Sequence, residues 1–334
     1  MKILLSPVHV ADQLERVKES LKMVGIRAKT MALYKTDFNY SSDYELNLEN
    51  STKYIKLFKR ILFFIYSIFK FDYFHFYFGE TLLPFNYDLY ILKMLKKKMI
   101  MTYCGSEIRI PEKITKINKY YLNIYNENSI VNRKRMKKVK KWIKNIIVTN
   151  PELKVYAMEY YENVYIVNVL TNKFEEKKNN IIVNNKICIA HIPSNALFKG
   201  TEIIIEVLKK LKEKIDFDYI VKEKISKDEV FRILDKSNLV IDQLRHGIYG
   251  TISVEAFAKS LPSICYINEY IINDYPSELP IINATIDNLY EILFNILKEP
   301  DILKEIGERS YNYYKKYHSP EVIGKQLRDI YKKL

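Results

Sequence analysis

The sequence predicts an α/β protein built from two doubly wound halves. Three observations carry that prediction: strand-length apolar runs alternate with helix-period segments almost from end to end, glycines sit where strands hand over to helices, and residues 171–186, rich in Asn and Lys and without periodicity, separate two such series. A length of 334 residues corresponds to about two domains at the usual ~150 residues each. The 48% apolar content is ample for two cores, and 28% charged with 13% aromatic residues excludes a disordered chain.

In the first half, residues 2–5 read as a short buried strand, 11–24 as a helix, 27–33 as a strand and 52–69 as a long helix. A strand at 73–78, a helix at 87–95 and a strand at 98–103 follow, then helical stretches from 113 to 144. Residues 145–149 form a strand, 151–160 a helix with Pro151 in its first turn, where no N–H is needed, and 164–169 a strand end. Beyond the divide, 187–191 is a strand and 201–214 a helix with Ile204, Val207, Leu208 and Leu211 on one face; 217–221 is a strand. Ser226 and Glu229 offer a capping box for the helix running through 234. A strand at 239–244, a helix at 253–259 and a strand at 262–266 come next, and 288–298, 301–317 and 320–334 close the chain as helices. The expected boundaries are a first domain at 1–170, a linker at 171–186, a second domain at 187–318 and a closing helix at 319–334.

Several classes are excluded by composition. Cys104, Cys188 and Cys265 lie in apolar or strand-like runs, outside any C-x-x-C or His-rich cluster, so neither a disulfide scaffold nor a structural zinc is expected. The opening apolar stretch, halted by Pro7, is too short for an export signal, and the apolar run at 61–69 falls short of the ~20 residues that span a membrane. A cytoplasmic protein is the expectation.

Glycine is scarce, 8 in 334, about a third of the customary ~7%. Gly79, Gly105, Gly200, Gly247 and Gly250 follow strand-like runs, at the edge where α/β folds bind ligands. From His191 a strand end leads through Ser194 to Lys199 and Gly200 and into a helix. A lysine beside unpaired helix-start N–H groups makes an anion site, for which phosphate is the commonest occupant; the plain alternative is a solvated lysine. From Asp242 a second strand leads through Arg245, His246, Gly247, Tyr249 and Gly250 into another helix, whose Thr251 and Ile252 amides would face a second phosphate. Glu255, one turn on, would accept from ribose hydroxyls or, more simply, stabilise its own helix N-terminus.

Lys199 and Gly200 followed by Gly250 and Glu255 resemble the donor half of the GT-B glycosyltransferases, specifically those similar to glycosyltransferase family 4. Residues 71–79, Leu82, Leu83 and Pro84, Asp88 and Leu89, Lys97 and Lys98, and Gly105, Ser106, Glu107, Ile108 and Arg109 match a subgroup pattern in the first half. The resemblance implies two Rossmann-like domains facing across a cleft, a nucleotide-sugar held as substrate by the second domain, an acceptor against the first, and a closing helix returning to the first. It implies no metal and no further cofactor, basic side chains and helix dipoles stabilising the departing diphosphate. The family's lysine maps onto Lys199, its second motif glutamate onto Glu255 and its inner loop glycine onto Gly250. The sequence departs from the pattern at Gly247, where a first glutamate is usual, at Ser194, where an arginine is common, and at Cys104 and Glu107, where histidine and aspartate are common. Arg245 and Arg109 are the candidate compensating cations.

On the acceptor side the candidates are His9, Gly79, Glu80, Cys104, Gly105, Glu107 and Arg109. His75, in an alternating aromatic strand, reads as a core histidine, His246 as a sugar or phosphate contact or a plain loop residue, and His318 as a helix boundary. The triplet Asp216, Phe217, Asp218 precedes a strand at its upstream edge, away from the ligand side, and is rejected as a metal site.

Lys+Arg 54 against Asp+Glu 40 gives a net charge of +14, concentrated at 53–70 and 133–144. Such stretches fit either an anionic bilayer beside a lipid-linked acceptor or a solvated helix face. The expectation is a glycosyltransferase moving a sugar from a nucleoside diphosphate to a glycan or lipid-linked glycan, with retention implied by the resemblance. Its rivals are a nucleotide-binding partner subunit without catalysis and a basic nucleic-acid-binding protein; interspersed acids and the lack of a recognition module argue against the latter.

Overall fold

In the computed structural model, which describes residues 1–10, 12–35, 41–124, 126–171 and 186–334, the apolar runs pair into two separate parallel sheets. The first comprises β1 (Lys2–Ser6), β2 (Arg27–Ala32), β3 (Tyr44–Glu45), β4 (Tyr73–Tyr77), β5 (Lys98–Tyr103), β6 (Asn145–Val148) and β7 (Asn163–Ile166), in the order β3-β2-β1-β4-β5-β6-β7. The second comprises β8 (Cys188–His191), β9 (Asp218–Val221), β10 (Leu239–Ile241), β11 (Ser263–Cys265) and β12 (Ile281–Asn283), ordered β12-β11-β10-β8-β9. The winding direction reverses between β1 and β4 in one sheet and between β8 and β10 in the other. Loops leaving the carboxyl ends of such a pair diverge and open a crevice.

The chain divides into two compact units: residues 1–111, 127–170 and 320–334, and residues 112–126 and 171–319. In the first unit the strands are buried on both faces, as parallel strands between helical layers are. Leu4, Phe74 and Phe76 join one core with Phe63 and Phe64 of α2 (Lys53–Lys70), Leu89 and Leu92 of α3 (Tyr87–Met94), and Met136 and Val139 of α5 (Ser129–Lys140). Ile3 and Leu5 point the other way, to Leu14, Val17 and Leu21 of α1 (Gln13–Met23) and Ile323, Leu327 and Ile330 of α14 (Pro320–Lys332). Ser20 Oγ donates to the Pro320 carbonyl at 2.5 Å, tying the chain's last helix to its first. His75 is a core residue: its ring nitrogens meet Tyr331 Oη and Thr102 Oγ1, each at 2.6 Å, and burial lowers its pKa to about 3.

In the second unit, α8 (Thr201–Lys212) and α12 (Leu289–Lys298) cover one face through Ile204, Leu208 and Leu293, while α9 (Lys227–Lys236) and α10 (Thr251–Ala258) cover the other through Ile233, Leu234 and Ala256. Half of the expected capping box is present, Ser226 Oγ accepting from the Glu229 amide, while the Glu229 carboxylate pairs with Lys222 at 3.0 Å.

The helical stretches expected from 113 to 144 form as α4 (Pro111–Ile117) and α5, separated where Asn118 leaves the helix to accept from the Tyr120 amide and donate to the Arg245 carbonyl. Residues 112–126 accordingly belong to the second unit and not to the first domain. Four short elements were not anticipated: β3, β12, α7 (Ala196–Lys199) and α11 (Glu269–Ile272). The linker at 171–186 lies, except for its ends, outside the described residues.

Candidate functional site

The loops after β8 and β10 flank the switch point of the second sheet. His191 ends β8 with its ring fully buried; Nδ1 donates to the Ile241 carbonyl of β10 and Nε2 accepts from Thr201 Oγ1 in the first turn of α8, both at 2.8 Å. Burial lowers its pKa to about 4, so the ring is neutral and fastens two strands and a helix start together. Asn195 caps α7 by accepting from the Phe198 amide at 2.9 Å, which sends Lys199 from the end of α7 toward β10.

Lys199 Nζ pairs there with Asp242, the first residue beyond β10 and fully buried. The second carboxylate oxygen of Asp242 accepts from the Gly250 amide at 2.5 Å and from Ser253 Oγ at 2.7 Å, both at the start of α10. Asp242 therefore ties the lysine to the helix N-terminus. A β-carbon on Gly250 would lie 3.0 Å from Lys199 Nζ and 3.2 Å from Asp242 Oδ2, so glycine is what permits the approach. α10 starts at Thr251, two residues earlier than the sequence suggested, which places the Thr251 and Ile252 amides in its first turn, where no intrahelical acceptor exists. The arrangement can meet an external anion with an ammonium group, two amides and a helix dipole.

Other expected donor-side residues are differently employed. Glu255 is 2% exposed and its carboxylate pairs with Lys227 of α9, so ribose contact requires that pair to open. Arg245 pairs with Glu202, and Ser194 is exposed. The loop between them folds inward: the Asn268 amide donates to the Gly247 carbonyl, and Asn118 holds the carbonyl of Arg245. His246 is consequently buried between the rings of Phe198 and Tyr121, at 4.4 and 5.5 Å. Tyr249 turns into an aromatic cluster with Phe257 and Tyr275 and meets His318 Nε2 at 3.1 Å. Both side chains are buried. Gly247 has φ +82° and would press a β-carbon to 2.8 Å from Asn268 Cβ, so this backbone has no room for the carboxylate usual at that position. Asp216 and Asp218 are exposed at the amino end of β9 and paired with Lys186 at 2.9 and 3.0 Å, far along the strand from the ligand edge.

At the carboxyl edge of the first sheet the acceptor-side candidates do share one rim, on the loops after β1, β4 and β5. Their polar groups are largely spoken for. His9 meets Ser42 Oγ at 2.7 Å, and burial depresses its pKa. Glu107 accepts from the amides of Cys104 and Gly105 at 2.5 and 2.8 Å, and burial raises its pKa as it raises that of the Cys104 thiol. Arg109, the candidate compensating cation, is enclosed by Glu152 at 3.0 Å and Glu127 at 3.2 Å. Gly79 is buried and Glu80 is exposed.

Asp242 and His191 were not assigned roles from sequence. The available signal for Asp242 was an acid closing the wholly apolar strand of Leu239, Val240 and Ile241, where an ionised side chain demands a partner.

No protein-family model matches the sequence, and no curated protein sequence matches it. Solved structures do. HepE of Anabaena in complex with UDP and glucose is 12% identical over 100% of both chains, with a TM-score of 0.67. Sucrose-phosphate synthase of Thermosynechococcus elongatus is 12% identical over 99% of this chain and 98% of its own, at 0.65. WaaG, a glycosyltransferase involved in lipopolysaccharide biosynthesis, is 10% identical over 99% of both, at 0.60. At such identities the likeness is one of architecture, and the chain has the GT-B glycosyltransferase fold.

Proposed function

We propose that this protein is a cytoplasmic glycosyltransferase that moves a sugar from a nucleoside-diphosphate donor, with UDP the first candidate, to a glycan or lipid-linked glycan, without a metal and with retention. The observation that carries the proposal is the meeting of Lys199 with the N-terminus of α10 at the switch point of the second sheet. The likeness to HepE, which binds UDP and UDP-glucose, supports the donor class.

In this reading the diphosphate lies over Gly250. Lys199 turns from Asp242 to a phosphate oxygen, while Asp242 keeps the Gly250 amide and Ser253 Oγ on its other oxygen. The Thr251 and Ile252 amides take the second phosphate, and charge developing on the leaving diphosphate is met by groups already in place. Glu255 exchanges Lys227 for the ribose hydroxyls.

One observation favours a second reading. The closed backbone around Gly247 removes a sugar-positioning carboxylate, which fits a chain that binds nucleotide without transferring sugar. Calorimetry with UDP and an assay of UDP released from UDP-glucose separate the two. Lys199→Ala is expected to weaken UDP binding by about ten- to a hundredfold, since a charged hydrogen bond contributes roughly 1.5–3 kcal/mol. Unchanged affinity removes Lys199 from the site; binding without UDP release supports the second reading; and no stabilisation by any nucleoside diphosphate overturns both.

A further inference from the structure

Helix α2 is amphipathic and faces the wrong way for a soluble protein. Its inward face holds Phe63, Phe64 and Ser67, and two of its five basic side chains bond inward: Arg60 donates to the carbonyls of Leu82 and Thr81 at 2.5 and 2.9 Å, and Lys59 to that of Leu46 at 3.1 Å, while Lys53 and Lys70 are exposed. The outward face carries Tyr54, Phe58, Ile61, Leu62, Ile65 and Phe69, at helical spacing along most of the 18-residue helix, about 24 Å. Tyr54 is 86% exposed, Phe58 61% and Phe69 84%. An apolar stripe of that length on the surface marks an interaction site.

The surface continues beyond α2. The segment Arg60 holds leads to Phe85, over whose ring Lys138 of α5 lies at 5.5 Å, and to α3, which exposes Tyr87, Tyr90 and Met94. Tyr90 packs edge-on against Trp142 at 5.4 Å. Together α2, α3 and α5 hold twelve Lys or Arg and one acid, the buried Asp88, and so carry eleven of the chain's fourteen net positive charges.

We propose that this face docks on an anionic phospholipid bilayer, with α2 lying in the plane of the interface, its outward face among the acyl chains and the lysines of α5 at the headgroups. A long apolar stripe beside an almost purely basic field is the complement of such a surface. It is a poor complement of itself, because a two-fold contact between copies would bring like charges together. No helix among the described residues is long and apolar enough to cross a membrane, so the attachment is peripheral. The proposal goes beyond sugar transfer and stands apart from it: a chain that binds UDP and ignores vesicles keeps the one and loses the other.

The test is flotation of the full chain with vesicles of phosphatidylcholine alone or mixed with phosphatidylglycerol, with fluorescence of Trp142, the single tryptophan, as a second readout. The expected result is flotation only with the mixed vesicles, weakening as salt rises, and a blue shift of Trp142 emission. Phe58→Ser combined with Ile65→Ser should lower vesicle affinity by roughly a hundredfold without altering the melting temperature. Lys137→Glu with Lys138→Glu should remove the preference for the anionic lipid. The proposal is overturned if the native chain does not float, if the Phe58/Ile65 variant floats equally well, or if those substitutions instead abolish a concentration-dependent dimer formed without lipid.

Discussion

At the carboxyl edge of the second sheet, Lys199 and the first turn of α10 share one buried carboxylate, Asp242, and lie beside a glycine turn. At the corresponding edge of the first sheet, Arg109 is enclosed by Glu127 and Glu152, and Glu107 by two amides. Both rims are charged and both obey the same topological rule, and both cations are buried, yet Lys199 faces one carboxylate beside a helix start whereas Arg109 is held by two. Proximity of a charged residue to a switch point is thus no measure of function; what its charge already holds is.

The largest expected effect tests the rim of the first sheet. Arg109→Leu leaves Glu127 and Glu152 buried without their cation and should cost about 3–5 kcal/mol in urea unfolding while leaving UDP affinity of the folded fraction unchanged. A loss of affinity at unaltered stability would erase the distinction between the rims. Gly250→Ala probes the other: its methyl group would press on Lys199 Nζ, and a fall in UDP affinity of about 2 kcal/mol, near thirtyfold, is expected by calorimetry. Equal affinity would place the nucleotide elsewhere.

A smaller effect reports on the histidines that fasten each unit. Unfolded, His75 and His191 titrate near 6.5; folded, burial holds them at about 3 and about 4. Because the folded values are depressed, the stability they contribute is present above pH 6.5 and is lost as pH falls toward 4, by about 1.4 kcal/mol per pH unit for each ring. Urea midpoints at pH 7.5 and 5.5 should therefore differ, and His191→Gln should reduce the difference. An unchanged difference would mean that His191 is protonated in the folded chain.

The alternation of apolar runs with amphipathic segments made both sheets legible, because burial of parallel strands on two faces leaves little freedom in their composition. β3 and β12, of two and three residues, are too short for periodicity to register. The position of the break after Ile117 was hidden because Asn118 departs from the helix for a partner at Arg245, more than a hundred residues away. The site was half legible. Lys199, Gly250 and the two amides follow from residue type and local order, whereas Asp242 draws its importance from donors on two separate segments, and the inward turn of His246 and Tyr249 from packing against Phe198, Tyr121 and His318. For α2 the pattern disclosed a long helix within a basic stretch but not which side would be covered.

The return of α14 to α1 has a consequence for dissecting the protein. The first fold cannot be cut out as a continuous stretch of chain: a fragment ending at residue 170 would leave Val17 and Leu21 uncovered and Ser20 without the carbonyl it binds. An autonomous version would need residues 320–334 grafted by a short bridge ahead of residue 1 or after residue 170, and nascent polypeptide leaving the ribosome must wait for α14 before the first unit is complete.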